Sequence, residues 1–209
     1  PPGSTYKPFV AASALQREIV TTGQTYGCPP SWIAPFDETD PDAMQYVFNN
    51  WTTADLGYMS IATALAKSCD TIFYPMGYRY WDLFYVNDDE AANDIVSHEP
   101  MQRDLEAFGF DSQTRADLSF EQDGRVPDAE WKRTIHEAYP ESFPEGEWFP
   151  GDFILMTIGQ GDTLVTPLQV ARVYSAIANG GTLWTPQVAK AVMAPDGTVV
   201  KEFKPKKDG

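Results

Sequence analysis

The sequence is poor in several features that would indicate a function directly. It has only two cysteines and two histidines in 209 residues, too few for repeated zinc-binding pairs. No uninterrupted apolar run approaches the roughly 18 residues that cross a bilayer, and no signal peptide is visible. Basic residues are scarce, since 15 Lys and Arg stand against 30 Asp and Glu, for a formal net charge of −15. Without a basic patch, a nucleic-acid partner or an anionic lipid surface is not expected.

The two cysteines, Cys28 and Cys69, fit neither a disulfide framework nor the spacing of a zinc ribbon. The favoured interpretation is a pair of small, buried or half-buried thiols. The alternative is a metal site that adds a nearby carboxylate such as Asp37 or Asp55, although neither a CxxC nor an HxxxH pattern is present. We therefore expect no metal.

The residues that are abundant indicate one globular domain with long loops. Hydrophobic residues make up 43% and aromatic residues 13%, and there are 17 prolines and 15 glycines. A helix is predicted at 167–179, where Thr166 is a natural N-cap, Pro167 fits the first turn and Gln169 completes a capping box. Its apolar residues leave only a narrow polar strip, formed by Gln169, Arg172 and Ser175. Helices are also predicted at 9–20, 57–67, about 71–81, 100–109 and 130–138, loops over most of 22–53 and 110–150, and a hairpin from 187–193 and 198–203.

The first motif with chemical meaning is Ser4-Thr5-Tyr6-Lys7, a Ser-x-x-Lys sequence. A spacing of three places both side chains on one face of a first helical turn, with the amine in reach of the hydroxyl. Pro8 cannot donate a hydrogen bond to the Ser4 carbonyl, so this turn lacks one regular helical bond. The structural alternative is that Ser4 is simply a helix N-cap.

A second motif, Ser68-Cys69-Asp70, lies where one predicted helix stops and another starts. In the structural interpretation Asp70 caps the second helix. In the functional interpretation a tight turn between the helices brings a second hydroxyl, that of Ser68, to the Ser4–Lys7 pair.

Together these motifs resemble class B penicillin-binding proteins. PPGSTYKPF is similar to the nucleophile region of that family. SCDTIFY is similar to its Ser-x-Asn motif, in the Ser-x-Asp form of the elongation-type, penicillin-binding-protein-2-like branch. The runs DLSFEQDGRVP and IGQGDTLVTPLQVARVYSAIANGG resemble the stretch that leads toward the family's third motif. The resemblance extends from Pro2 to about Lys190.

The sequence departs from the family pattern in two places. The third motif, Lys-Thr/Ser-Gly, does not occur, and we expect it downstream of the hairpin, on a strand that this chain lacks. Asp70 stands where most relatives carry Asn. An ionised Asp70 would hold Lys7 protonated, so it is expected to be neutralised, paired or turned away.

The resemblance implies an α/β sandwich of the β-lactamase/transpeptidase type. Residues 1–209 would be part of one transpeptidase domain, mainly its helical part. It implies a D,D-transpeptidase that crosslinks peptidoglycan and needs no cofactor. Ser4 would be the nucleophile, Lys7 the general base, Ser68 the proton shuttle to the leaving group, and Asp70 the residue that orients it.

The resemblance also implies the partners and the location of the protein. The substrates would be stem peptides ending in D-Ala-D-Ala, and β-lactams would acylate Ser4. A membrane glycan polymerase of the elongation machinery would be a partner. The domain would lie on the extracytoplasmic face of the bacterial cell membrane, anchored by an N-terminal segment that precedes this chain.

Two alternatives stay open from the sequence. One is a serine β-lactamase or β-lactam sensor on the same fold, although no Glu-x-x-x-Asn spacing stands out and sensors carry an apolar residue in place of Asp70. The other is an inactive scaffold domain that only binds partners in wall synthesis, which the intact Ser4, Lys7 and Ser68 disfavour.

The apolar helices at 9–20 and 166–180 generate a prediction about the isolated piece. We expect residues 1–209 alone to expose a large apolar surface, to lack a cooperative thermal transition and to leave penicillin unbound. Supplying the downstream strand should restore folding and binding together. Calorimetry measures the thermal transition, and labelled penicillin measures binding. A sharp transition together with stoichiometric labelling would contradict the prediction.

Overall fold

The computed structural model describes residues 1–35, 46–83 and 99–208. A 3-10 turn, Gly3–Tyr6, runs directly into the first α-helix. The helices are α1 (Lys7–Gln16), α2 (Ile61–Lys67), α3 (Asp70–Trp81), α4 (Pro100–Ala107), α5 (Ala129–Ala138), α6 (Pro150–Thr157) and α7 (Pro167–Ala178). The strands are β1 (Tyr26–Gly27), β2 (Ser31–Ile33), β3 (Val47–Asn49), β4 (Tyr58–Met59), β5 (Ala191–Met193) and β6 (Val199–Glu202). The strands form antiparallel pairs, β1 with β4, β2 with β3 and β5 with β6. Over these residues, no helix is long and apolar enough to span a membrane.

The chain forms two compact units. The first comprises Pro1–Leu105 and Pro127–Thr163, and the second comprises Glu106–Val126 and Leu164–Gly209. The first unit contains α1, α2, α3, α5 and α6. The second contains α7 and the β5–β6 hairpin.

The core of the first unit is the packing of α3 against α6. Helix α3 buries a stripe of side chains at helical spacing, Ile72, Phe73, Met76 and Tyr80. It continues through Pro75, although that residue cannot donate a helical hydrogen bond. Gly77 allows the two helices to meet closely, because a Cβ at this position would lie 2.7 Å from the Ile154 Cα. The Tyr80 and Phe153 rings stack nearby, 6.5 Å apart.

Helix α1 is attached to α3 and α4 by a polar network that is largely buried. The Ser13 hydroxyl contacts the Tyr80 hydroxyl at 2.5 Å and donates to Asp104 at 2.5 Å. Arg17 holds the same carboxylate through two hydrogen bonds of 2.8 Å. Burial raises the pKa of the Tyr80 hydroxyl, so this group is a neutral hydrogen-bonding partner at physiological pH.

The helix predicted at 9–20 has different bounds. It starts earlier and ends at Gln16, because Glu18 adopts a left-handed conformation with φ 57° that a helix cannot continue through. The start of the helix predicted at 57–67 is also wrong. Residues 58–59 pair as strand β4, and α2 begins at Ile61 after Ser60, whose hydroxyl accepts from the Thr63 N–H.

Helix α6 was missed in the sequence analysis, although its start carries readable signals. Pro150 stands in the first turn, and the Asp152 carboxylate accepts from the Phe149 N–H at 2.7 Å. The predictions around 100–109 and 130–138 are confirmed as α4 and α5. Short strands β1, β2 and β3 interrupt the loop predicted over 22–53.

In the second unit, helix α7 confirms the predicted capping box but contradicts the predicted polar strip. The Gln169 side chain accepts from the Thr166 N–H at 2.7 Å, yet it is fully buried and also donates to the carbonyl of Ser112 at 2.8 Å. Arg172 is buried as well, because it pairs with Asp208. Tyr174 and Ile177, two of the apolar residues of this helix, are 39% and 50% exposed. The helix is oriented by partners for its polar groups, which an apolar pattern does not reveal.

The predicted hairpin is confirmed, with shorter strands than predicted. Strands β5 and β6 pair on either side of Pro195-Asp196-Gly197. The Asp196 carboxylate accepts from the Thr198 N–H at 2.9 Å and closes the turn.

The close contact of α3 with α6 predicts the effect of a methyl group at Gly77. Gly77→Ala should lower the free energy of unfolding by about 1–3 kcal/mol, because its Cβ would overlap the backbone at Phe153 and Ile154. Gly151→Ala is the matched control, since a Cβ there meets nothing within 4 Å and alanine favours a helix. Urea denaturation measures both variants. Equal stability of the two would show that the contact is not close-packed.

Candidate active site

The first motif lies at the junction of the 3-10 turn and α1. The Ser4 carbonyl accepts from the Lys7 N–H, and this bond takes the place of the helical bond that Pro8 cannot form. The residue that follows α6 by two positions, Gly159, holds this turn in place, because its carbonyl accepts a hydrogen bond from the Gly3 N–H at 2.9 Å. Gly159 has φ 65°, and a Cβ there would lie 2.4 Å from the Gly3 oxygen. Ser4 is therefore presented on an exposed but well-supported turn.

The second motif lies in a tight turn between α2 and α3. Ser68 ends α2 in a left-handed conformation, with φ 54°. The N–H groups of Ser68 and Cys69 bond back to the carbonyls of Leu65 and Ala64, at 3.1 and 3.0 Å. Asp70 then begins α3. The left-handed turn places a hydroxyl and a carboxylate two residues apart on the same side of the site.

The structure brings all four predicted site residues together. The Ser68 hydroxyl donates to the Ser4 hydroxyl, with 2.7 Å between the oxygens. The Lys7 ammonium donates to the Ser68 hydroxyl at 3.1 Å, to the Ser68 carbonyl at 2.9 Å and to the Asp70 carboxylate at 2.5 Å. Ser68 thus lies between the nucleophile and the amine, and the hydrogen bonds run Ser4–Ser68–Lys7–Asp70. Sequence spacing alone predicted direct reach of Lys7 to Ser4.

The electrostatics of the site centre on Lys7. Its side chain is 1% exposed, and its ammonium lies 5.4 Å from the centre of the Phe73 ring. Burial lowers the pKa of Lys7, because a charged amine loses its hydration there. The hydrogen bond and the charge of Asp70 oppose this effect and raise the pKa, but burial is the larger cause. Asp70 is thus paired, one of the three outcomes expected for it, and the Lys7 pKa is still lowered.

The interpretation of Cys28 and Cys69 as thiols is wrong. Their sulfurs form a disulfide, with the Cα atoms 6.2 Å apart, and both residues are fully buried. Neither sulfur is a thiolate available to a metal, so the alternative metal site is also wrong. Asp37 lies outside the described residues. Two cysteines so far apart in sequence form no readable pattern, and only the tertiary fold brings them together.

Other polar residues that support the site were also missed. Asn50 accepts a hydrogen bond from the Asp70 N–H at 3.1 Å, and the Trp51 indole donates to the Lys67 carbonyl at 3.1 Å. Both residues come from the segment that the sequence analysis treated as a loop. Within the described ranges, no group of three or more His, Cys, Asp or Glu side chains could hold a metal ion.

Comparison with known proteins identifies the family. The sequence profile described as "Penicillin binding protein transpeptidase domain" matches residues 1–209. The chain belongs to the penicillin-binding protein transpeptidase family. The fold class is therefore that of the β-lactamase/transpeptidase sandwich, of which these residues supply a mainly helical part.

Several of the similar proteins are named MrdA or penicillin-binding protein 2. The chain is 29% identical over 188 residues to "Peptidoglycan D,D-transpeptidase MrdA" of Salmonella typhimurium (strain SL1344), covering 90% of this chain and 25% of that relative. It matches the structure of Pseudomonas aeruginosa PBP2 in complex with WCK 5153 with a TM-score of 0.70 and 26% identity, covering 98% of this chain and 40% of that one. It also matches the complex between PBP2 and MreC from Helicobacter pylori, with a TM-score of 0.67 and 30% identity, covering 90% and 29%. The chain thus spans about a quarter of the length of the curated relative.

The disulfide predicts a measurable contribution to stability. Cys28→Ala should lower the free energy of unfolding by about 2–4 kcal/mol, because the bond closes a long loop in the unfolded chain. Denaturation with and without a reducing agent measures the effect. Reduction should destabilise the unmodified protein and leave Cys28→Ala unchanged. Equal stability of the two proteins under oxidising conditions would contradict the prediction.

Proposed function

We propose that this chain carries the nucleophile and the proton-transfer residues of a peptidoglycan D,D-transpeptidase. The observation that carries the proposal is the continuous hydrogen-bonded chain from the exposed Ser4 hydroxyl through Ser68 to the buried Lys7 and Asp70. A serine is a weak nucleophile until a base accepts its proton. This arrangement offers both a base with a lowered pKa and a path that leads to it.

In the proposed acylation step, the Ser4 oxygen attacks the carbonyl carbon between the two terminal D-alanines. The Ser4 proton passes to Ser68 while the Ser68 proton passes to neutral Lys7, so each hydroxyl stays neutral. The Ser4 backbone N–H, in the first turn of the helix, supplies half of the oxyanion hole. When the C–N bond breaks, the proton returns from Lys7 through Ser68 to the departing D-alanine amine. The product is an ester between Ser4 and the donor stem peptide.

In the second step, the amine of a neighbouring stem peptide attacks this ester. The same residues accept its proton and return one to Ser4, which leaves as a free hydroxyl with the crosslink formed. A β-lactam would enter at the first step, because its strained amide carbonyl is attacked by Ser4 in the same manner. The opened β-lactam stays attached to Ser4 for as long as no amine or water cleaves this ester.

Asp70 has two proposed roles. It fixes the position of the Lys7 amine through a short hydrogen bond, and it stabilises the ammonium that forms when Lys7 accepts a proton. Because burial opposes protonation more strongly than Asp70 favours it, Lys7 is kept closer to the neutral form that a base requires.

The proposed location is the extracytoplasmic face of the bacterial cell membrane, with a membrane anchor supplied by the parent protein. A buried disulfide beside the active site favours an oxidising compartment, since disulfides persist outside the reducing cytosol. The proposed partners are the elongation proteins. An enzyme that joins stem peptides needs glycan strands, so a membrane glycan polymerase is the first of these partners. MreC, found with a similar protein, is the second.

No specific contact in the described residues favours a serine β-lactamase, a β-lactam sensor or an inactive scaffold. The transpeptidase is therefore the one function proposed.

Covalent labelling tests the proposal. In the full-length protein, a labelled penicillin should attach to Ser4, and Ser4→Ala should abolish the labelling. Mass spectrometry of the labelled peptide locates the acyl group. An acyl group on another residue, or undiminished labelling of Ser4→Ala, would refute the assignment.

The base is tested by comparing two lysines. Lys7→Ala should slow acylation by about a hundredfold or more, since it removes a positioned base. Lys67→Ala is the matched control, because Lys67 lies next to Ser68 but its side chain is exposed. Stopped-flow acylation rates give the comparison. Similar losses for the two variants would contradict the role of Lys7.

The position of Asp70 predicts a pH effect. Asp70→Asn removes the interaction that raises the pKa of Lys7, while burial continues to lower it. Neutral Lys7 then appears at lower pH, so the rising limb of the acylation rate should move toward lower pH. The profile of rate against pH measures this, whatever the change in the maximal rate. A shift toward higher pH would show that Asp70 does not act on Lys7 as described.

A further inference from the structure

The turn that carries Ser68 and Asp70 is held from outside by two short stretches of chain, which we call the support segment (residues 28–29 and 50–51). The disulfide joins Cys28 to Cys69, the residue between the two site residues. The Thr71 hydroxyl donates to the Pro29 carbonyl at 2.8 Å. The indole of Trp51 donates to the last carbonyl of α2. The support segment thus contacts the turn on both sides of Ser68.

Asn50 is the member of the support segment that reaches Asp70 directly. Its side chain is buried, and its Oδ1 accepts from the N–H of Asp70 at 3.1 Å and from its neighbour's N–H, that of Trp51, at 3.0 Å. Its Nδ2 faces the Pro29 carbonyl at 3.4 Å and the Cys28 sulfur at 3.3 Å. Because both ends of the amide are used, only one orientation of the group satisfies all these contacts.

The N-terminus of α3 needs such an external acceptor. The first N–H groups of a helix have no partner within it, and the residue before the helix often supplies one from its side chain. Here that residue is Cys69, which makes no capping hydrogen bond and whose sulfur is bonded to Cys28. Asn50 supplies the acceptor for the first of these groups, the N–H of Asp70.

We propose that Asn50 is a positioning residue for acylation, which fixes the backbone of Asp70 and so the place where its carboxylate holds Lys7. The inference rests on the proposed function, in which Lys7 is the base. The Asp70 backbone carries the carboxylate that bonds Lys7 at 2.5 Å, and a shift of this backbone moves the amine relative to Ser68. Asn50 reaches no reacting atom itself, so its effect passes through Asp70.

An amide is suited to this position because it accepts a hydrogen bond without bringing a charge. A carboxylate here would also accept from the Asp70 N–H, but it would add a second negative charge beside the Lys7–Asp70 pair. That charge would stabilise protonated Lys7 and oppose its use as a base. Among the described residues, the charged group that contacts Lys7 is Asp70. Burial and the charge of Asp70 raise the pKa of Tyr74 to about 12, so this phenol stays neutral near physiological pH.

The test compares four variants of the full-length protein by their rate of acylation with labelled penicillin across the pH range. Asn50→Ala removes the acceptor, and Asn50→Asp keeps the acceptor, adds a charge and loses the Nδ2 donor that faces the Pro29 carbonyl. Asn49→Asp is the matched control for charge, because Asn49 is the exposed neighbour. Thr71→Val is the matched control for stability, because it removes a buried hydrogen bond to the same support segment without touching the Asp70 N–H. Melting temperature and disulfide content give the folded fraction of each variant.

For each variant, rates are expressed per folded protein. Asn50→Ala should acylate about tenfold more slowly or worse at every pH, as expected for a displaced base, whereas Thr71→Val should lose stability but stay within about twofold of the unmodified rate. At neutral pH Asn50→Asp should acylate at least about threefold more slowly than Asn49→Asp, and the difference should narrow toward alkaline pH, where Lys7 is neutral in both.

Three outcomes would overturn the inference. The first is an Asn50→Ala rate within about twofold of the unmodified protein. The second is an equal loss of rate in Thr71→Val, which would show a general effect of stability. The third is superimposable profiles for the two aspartate variants, and this comparison decides alone if Asn50→Ala does not fold. Failure of the unmodified protein to label at Ser4 would refute the proposed function instead.

Discussion

The contact on which the rest of the site depends is the buried pair of Lys7 and Asp70. Removing a lysine from water is costly, and an amine that is almost fully buried needs partners for all its donors. Lys7 has three acceptors, and all of them come from the turn between α2 and α3. The start of α1 and the start of α3 therefore have to meet at one place, and this requirement fixes the position of Ser4 relative to Ser68.

The two helices that meet there are also joined further along their length. The network of Ser13, Tyr80, Asp104 and Arg17 ties the far end of α1 to the far end of α3. Gly77 allows α3 to lie against α6, and the loop after α6 returns Gly159 to the back of the nucleophile turn. The helices that carry the site residues are thus held in place by contacts that take no part in the chemistry. Rigid support of this kind keeps reacting groups within the small tolerance that catalysis allows.

The backbone of Ser68 is strained, and the hydroxyl of this residue explains why the strain is kept. Ser68 adopts a left-handed conformation that glycine would adopt at less cost. Glycine would lose the hydroxyl that connects Ser4 to Lys7. The disulfide and Asn50 hold the residues that follow, so the energetic cost at Ser68 is offset by the contacts of Cys69 and Asp70.

The sequence by itself determined the local features and the family. Ser-x-x-Lys followed by Pro8, the Ser-x-Asp turn, the Thr166 capping box and the Pro-Asp-Gly hairpin are all encoded within a few neighbouring residues, and each forms at the predicted place in the chain. Only the tertiary structure decided which distant groups meet. It joined Cys28 to Cys69, brought Asn50 to the Asp70 N–H, buried Gln169 and Arg172 among partners from other segments, and placed Ser68 between Ser4 and Lys7. These contacts depend on the path of the chain between remote segments, and the energy of a buried polar group depends on the partner it finds there, which no local pattern specifies.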